Sequence, residues 1–114
     1  MQRAASYDAT TDGAATPSRS QGSWVQSMPH PFLTEIGVHH FDSFRYLLGC
    51  EPVSVVARSY NPKDSDYKHD GAAQAFFEFT SGATLQYSGT FCAPRYEYMM
   101  WIEGERGDVR TDRV

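Results

Sequence analysis

The hydrophobic pattern of this chain changes its period once, at Gly49, and this change restricts the possible folds more than any other feature. Between Phe32 and Leu48, apolar residues recur at helical spacing, which predicts one amphipathic helix. From Pro52 to Thr111 they alternate with polar residues in short runs, which is typical of strands. The order predicts an α+β domain: a mostly antiparallel open sheet with a helix packed on one face.

The predicted helix has an apolar side and a polar side. At ~100° per residue, the apolar side carries Leu33, Ile36, Gly37, His40, Phe41, Phe44, Leu47 and Leu48. The polar side carries Glu35, His39, Asp42 and Tyr46. Gly49 predicts a left-handed end to the helix. Gly37 costs roughly 1 kcal/mol relative to alanine, so we expect another segment to approach the backbone closely there.

The alternating segments predict five strands, at 52–60, 73–80, 83–91, 96–103 and 108–111. Ser81-Gly82 predicts a tight hairpin turn between the second and third strands. Residues 61–71 predict a polar loop, in which His69 and Asp70 form a solvated turn.

Length and composition limit the organisation of the chain. Its 114 residues allow one domain at most. Residues 1–27 show neither period and are rich in small and polar side chains, which predicts a flexible N-terminal segment before a partial domain at 28–114. Trp24 and Val25 are the exceptions, and we expect them to dock on the core.

Several classes of partner are disfavoured by the sequence. The net charge is -4 and there is no basic patch, which argues against nucleic acid. No apolar run is long enough to span a membrane, and none follows Arg3 as it would in a secretory signal. We therefore expect a cytoplasmic protein. Cys50 and Cys92 lack zinc spacing and are expected to be small core residues, although a disulfide stays possible.

Glu35, His39 and Asp42 form the group best suited to chemistry. Positions three and four apart on a helix are neighbours, so both carboxylates would flank His39. A neighbouring carboxylate raises the basicity of an imidazole and selects the nitrogen that carries its proton. Such a ring can take a proton from a hydroxyl. On spacing alone, an acid–histidine pair on a solvated helix face is the commoner case.

Simpler structural explanations apply to the neighbouring residues. His40 is expected to be a core histidine bonded to a backbone carbonyl. Asp42 is expected to be structural, either pairing with Arg45 or capping a neighbouring turn, and Tyr46 to be half-buried, although both are candidate substrate contacts. The rings of His39 and His40 would point ~100° apart, so no metal site is predicted.

Residues 31–49 closely resemble the signature helix of Gfo/Idh/MocA oxidoreductases. That signature is an acid, then x-Gly-x-His-x-x-Asp, then a leucine-rich turn closed by glycine. Residues 35–42 match it as Glu-Ile-Gly-Val-His-His-Phe-Asp. The likeness continues through the predicted strands and ends in Ile-Glu-Gly-Glu-Arg-Gly at 102–107.

The resemblance implies the substrate half of a two-domain enzyme. In this family an N-terminal Rossmann domain binds NAD or NADP, and substrate lies between it and the C-terminal domain. The catalytic histidine falls on His39 and its acidic partner on Glu35, where most members carry aspartate. The family's Glu-Lys-Pro lysine and glycine-rich nucleotide fingerprint do not occur in this sequence, so the Rossmann domain is absent.

The implied reaction is reversible oxidation of a secondary alcohol of a sugar or polyol. His39 would take the hydroxyl proton while a hydride passes from the same carbon to the nicotinamide. The implied partners are this small substrate and further copies of the chain bound through the open sheet. Two alternatives stay open: a non-catalytic oligomerisation or interaction module, and a truncated gene product with exposed strand edges.

Overall fold

The computed structural model describes residues 4–12 and 24–111. In these ranges it contains six strands, one short helix and one long helix, α2, at residues 32–48. Helix α2 has a π-helical part, Phe32–Gly37, and an α-helical part, Val38–Leu48. The other elements are β1 Ala4–Asp12, α1 Trp24–Ser27, β2 Pro52–Tyr60, β3 Ala72–Phe79, β4 Thr84–Thr90, β5 Cys92–Gly104 and β6 Gly107–Arg110.

The strands form one sheet in the order β2-β3-β4-β1-β5-β6. Strand β1 is parallel to β4, and every other neighbouring pair is antiparallel. The predicted α+β class with a mostly antiparallel sheet is therefore confirmed, and the described residues contain no Rossmann fold. None of the helices in these ranges is long and apolar enough to cross a lipid bilayer.

Strand β1 overturns part of the prediction for the N-terminal segment. Residues 4–12 were expected to be flexible, but they pair with β4 on one side and β5 on the other. Strand propensity depends on the neighbours that a segment packs against, so partners far along the chain can stabilise a run of small residues. Residues 1–3 and 13–23 lie outside the described residues. Val25 packs on the core as expected, whereas Trp24 is 70% exposed.

The core lies between α2 and one face of the sheet. Its buried sheet residues include Ala75, Phe79, Leu85, Tyr87 and Phe91. The intervening positions on the other face are exposed, including Gln74, Phe76, Glu78 and Gln86. This alternation follows the predicted period of two. Phe32 and Phe44 of α2 are almost completely buried against the sheet. Cys50 and Cys92 are half-buried free thiols packed against this core.

Helix and sheet approach each other most closely at Gly89. A Cβ atom at Gly89 would overlap the ring of Phe32, which also packs edge-on against Phe91 with ring centroids 4.9 Å apart. The close approach was expected at Gly37, and that expectation was wrong. The nearest side chain to Gly37 is Phe41 of the same helix. The first residue of α2, Phe32, therefore packs directly on the backbone of β4 at Gly89.

The C-terminal end of α2 agrees with the sequence prediction, and its N-terminal part does not. Gly49 ends the helix as predicted, with φ 63° and its N–H donating to the Arg45 carbonyl at 3.0 Å. The first six residues, Phe32–Gly37, are π-helical, where a regular α-helix was expected. The i→i+5 bonding of a π-helix changes the angular step between residues, so faces drawn at α-helical spacing shift there.

The connection at residues 61–71 was predicted to be a polar loop, but two of its side chains are buried. Tyr67 is buried and stacks on Phe91 with ring centroids 5.4 Å apart. Asp70 is 5% exposed and is the only buried polar or charged residue in the described part of the chain. The expected solvated turn at His69 and Asp70 is therefore wrong for Asp70, while His69 is exposed.

Candidate active site

The four predicted site residues lie along α2 with unequal exposure. His39, Asp42 and Tyr46 are exposed, and Glu35 is half-buried. Tyr46 is 86% exposed, so the expectation of a half-buried tyrosine was wrong. The polar face of the helix is thus open to a second component, and the described residues supply only one wall of any cleft beside His39.

Glu35 carries the one buried side-chain oxygen that has no hydrogen-bond partner in residues 24–111. Its Oε2 atom is buried and unpaired. Buried polar atoms are nearly always hydrogen-bonded, and leaving one unpaired costs about 1–3 kcal/mol. Such an atom is typical of a site completed by a ligand or by another chain segment.

Glu35 and His39 are not hydrogen-bonded to each other in the structure. No ion pair or hydrogen bond between described residues joins the two side chains. Glu35 lies in the π-helical part of α2 and His39 in the α-helical part. The change of helix type between them alters the alignment that i,i+4 spacing gives in a regular helix.

His40 points toward the sheet and has a different environment from His39. Its Nδ1 atom lies 3.0 Å from the Tyr87 hydroxyl, whereas a backbone carbonyl was the predicted partner. Its ring centroid lies 5.9 Å from those of Tyr87 and Tyr98. Burial, followed by the neighbouring His39, lowers the pKa of His40 to about 4. Burial and Tyr98 raise the pKa of Tyr87 well above its usual value, so this pair is neutral at pH 7.

Asp42 is engaged in a surface ion network at the end of α2. Its Oδ1 accepts from Arg45 Nη1 at 3.1 Å, which is one of the two structural roles expected for it. The same guanidinium forms two bonds with Glu51, at 2.7 and 2.8 Å. Hydrogen bonding to Arg45 lowers the pKa of Glu51. Asp42 is therefore less available to a substrate than Tyr46 is.

A pocket of about 380 Å³ lies between the end of α2 and the hairpin of β5 and β6. It is lined by Leu47, Leu48, Ile102 and the hairpin residues up to Val109. Neither Glu35 nor His39 contributes to this pocket. The pocket and the predicted catalytic group are therefore separate features.

Comparison with known proteins places the chain in a family. Residues 3–110 match the GFO/IDH/MocA C-terminal domain, so the chain belongs to that family. The match includes β1, which the sequence pattern did not assign to the domain. A protein of Sinorhizobium fredii, y4oX, is 34% identical over 99 residues, covering 82% of this chain and 27% of that protein. The chain thus spans about a quarter of this relative.

Solved dehydrogenases share the fold. A probable dehydrogenase from Thermotoga maritima superposes with a TM-score of 0.76 at 18% identity, over 97% of this chain and 33% of its own. GenD2 from gentamicin A biosynthesis, in complex with NAD, gives 0.71 at 18% identity over 97% and 31%. A myo-inositol dehydrogenase from Corynebacterium glutamicum gives 0.68 at 12% identity over 97% and 32%. The chain corresponds to about one third of each.

Proposed function

We propose that this chain is the substrate domain of an NAD(P)-dependent oxidoreductase that oxidises a secondary alcohol of a sugar or polyol. The proposal rests mainly on one observation: α2 presents an exposed imidazole, His39, and one turn earlier a buried carboxylate oxygen of Glu35 without a donor. Membership of a family with dehydrogenase structures supports the redox class. The myo-inositol dehydrogenase among the similar structures supports a polyol or sugar substrate.

The residues of this chain fit the region around the reacting nicotinamide ring of the cofactor. They do not include a binding loop for its phosphates. The exposed His39 ring can serve a substrate hydroxyl that lies against α2, and the unpaired Glu35 oxygen is buried one turn earlier. The sequence has no glycine-rich phosphate-binding loop. A separate nucleotide-binding domain would therefore hold the dinucleotide. When bound, the nicotinamide supplies the acceptor for the hydride.

His39 is the residue suited to move the proton. Its ring is exposed and can accept the hydroxyl proton of an alcohol, then return it in the reverse reaction. His40 is unsuited to this role because its pKa is lowered to about 4 and its Nδ1 faces Tyr87. Glu35 would stabilise the charged His39 ring once a second wall excludes water. Tyr46, being exposed, is the better proposed substrate contact, and Asp42 the poorer one.

The test is His39→Ala in an enzyme assembled from this chain and a nucleotide-binding domain. We expect the turnover number to fall by about 10²–10⁴ with NAD(P) affinity unchanged, because only proton transfer is lost. Turnover would be followed as nicotinamide absorbance with NAD or NADP and a set of sugars and polyols that includes myo-inositol.

Two variants at position 35 and one control sharpen this test. Glu35→Asp, the residue of most family members, should keep activity, while Glu35→Gln should lower it. Asp66→Asn, at an exposed position of the loop 61–71, should behave as the unaltered chain. Full turnover in His39→Ala would reject the proposed chemistry.

The proposal includes self-association through the face of the sheet opposite α2, and a cytoplasmic location. On that face Val56, Phe76 and Trp101 are 75%, 39% and 36% exposed. Val56 is paired directly with Phe76 in neighbouring strands, so their side chains share the face. A non-catalytic interaction module would use the same surface. Turnover in the assembled enzyme distinguishes the two functions.

A further inference from the structure

His30 has an unusual backbone conformation immediately before α2. Its φ angle is 51°, in the left-handed region that residues other than glycine rarely adopt. Pro31 follows, and a proline ring further restricts the residue before it. Strained residues of this kind persist only where surrounding contacts hold them. His30 therefore needs a group that fixes it, and α2 begins two residues later, at Phe32.

Asp70 is the group that fixes His30. Its Oδ1 accepts the backbone N–H of His30 at 2.9 Å, and its Oδ2 lies 3.2 Å from Nδ1 of the ring. An ionised carboxylate only accepts hydrogen bonds, which assigns the ring proton to Nδ1. The Ser59 hydroxyl lies 2.9 Å from the same nitrogen. Asp70 thus binds both the backbone and the side chain of the strained residue.

The carboxylate of Asp70 is itself held by the sheet. Its side chain is only 7% exposed, whereas the His30 side chain that it contacts is 60% exposed. The next residue, Gly71, donates to the Tyr60 carbonyl at 3.2 Å and accepts from the Phe91 N–H at 2.8 Å. Asp70 is therefore joined to the end of β2 and to the residue after β4.

We infer that Asp70 is a positioning residue for the segment of α2 that carries Glu35 and His39. The inference rests on the proposed function, since Glu35 and His39 are catalytic only in that proposal. Asp70 holds His30 in its left-handed conformation, His30 sets where the π-helical turn begins, and that turn places Glu35. The His30 carbonyl continues the connection, since it accepts the Thr34 N–H at 3.0 Å.

Amide hydrogen exchange on Asp70→Asn tests this inference in the chain as it stands. Asparagine keeps the shape but replaces one acceptor by a donor facing Nδ1. We expect exchange at Thr34 and Val38 to accelerate by roughly tenfold or more, with Leu85 in β4 unchanged. The His39 ring resonance should shift in the same spectra. Asp66→Asn, the matched change in the same loop, should alter neither.

A pair of variants at position 30 isolates the backbone conformation. Glycine adopts positive φ freely, so His30→Gly should keep the start of α2 protected, whereas His30→Ala should not. Equal exchange in these two variants, or equal acceleration of helix and sheet in Asp70→Asn, would overturn the inference. Neither readout requires turnover. An inactive assembled enzyme would therefore reject the proposed function and leave these results interpretable.

Discussion

His39 and His40 are adjacent in sequence but have opposite environments, because α2 lies flat on the sheet. His40 is half-buried beside Tyr87, while His39 is exposed. Burial makes protonation of His40 unfavourable, since a charged ring loses its hydration there. Of the two, His39 is therefore the one that we propose for proton exchange with an alcohol. The resemblance to a family motif selected the same residue from sequence, but the motif gave no reason for His40 to be neutral.

The lowered pKa of His40 predicts a specific pH dependence of stability. The unfolded chain binds this proton near 6.5 and the folded chain only near 4. Between those values the unfolded state binds more protons, so stability rises with pH and is lost as pH falls. After allowance for solvent screening, we expect a loss on the order of 1–2 kcal/mol from about pH 7 to about pH 5.

His40→Gln should remove this part of the pH dependence, because glutamine can bond to Tyr87 without titrating in this range. Urea unfolding of both chains at the two pH values measures the difference. Ser43→Ala, which changes an exposed non-titrating residue of the same helix, should keep the dependence of the unaltered chain. The prediction fails if His40→Gln loses as much stability as the unaltered chain does.

Among the elements, α2 agrees with the sequence pattern at its glycine end and departs from it at its π-helical start. Its length, its glycine end and most of its buried face followed from spacing, because those signals act within a few residues. The exceptions are Leu47, which is 49% exposed, and Phe32, which is completely buried but was not assigned to that face. Its π-helical first part did not follow, since the contacts at its start come from β4 and the loop 61–71. Strand β2 has the predicted bounds, and the other predicted strands agree within a few residues except β5, which begins at Cys92.

The contact between Phe32 and Gly89 predicts that Gly89→Ala will destabilise the fold. The added methyl group would overlap the buried ring of Phe32, and overpacking of this kind costs about 1–3 kcal/mol. Gly104→Ala is the matched control, because its Cβ would meet its nearest neighbour, the Gly107 carbonyl oxygen, at an ordinary 3.5 Å. Urea unfolding at fixed pH measures both.

Replacing Phe32 by Leu in the Gly89→Ala background should recover part of the lost stability. A smaller side chain leaves room for the new methyl group, so the two changes should not be additive. Additive losses, or equal losses at Gly89 and Gly104, would show that Phe32 does not limit the space above Gly89.

Within residues 4–12 and 24–111, the molecule is a sheet with one covered and one open face. Helix α2 covers the first, and the second presents Val56, Phe76 and Trp101. The exposed apolar pair Val56 and Phe76 is the feature of this face that supports a protein–protein contact. The polar face of α2, which presents the exposed side chains of His39 and Tyr46, is the other open surface. We propose a different partner for each surface, a copy of the chain for the open face of the sheet and a nucleotide-binding domain for the polar face of α2.

The open face predicts self-association that Phe76→Lys abolishes. We expect the unaltered chain to sediment as a dimer or larger species and the variant as a monomer, because a charge would be buried in the contact. Val109→Lys is the control, since Val109 is also exposed but pairs with Ile102 and so shares the helix side. A monomeric unaltered chain in sedimentation velocity would contradict the prediction.

The local sequence pattern was sufficient to predict the class of fold, the bounds of β2, the end of α2 at Gly49 and the spacing of Glu35 and His39. Each depends on residues a few positions apart, where side-chain period and turn chemistry act directly. The central place of β1, the burial of Asp70, the Tyr87 partner of His40 and the missing partner of Glu35 depend on segments far apart in sequence. These features arise only when the sheet assembles and brings such segments together, and no short pattern carries that information.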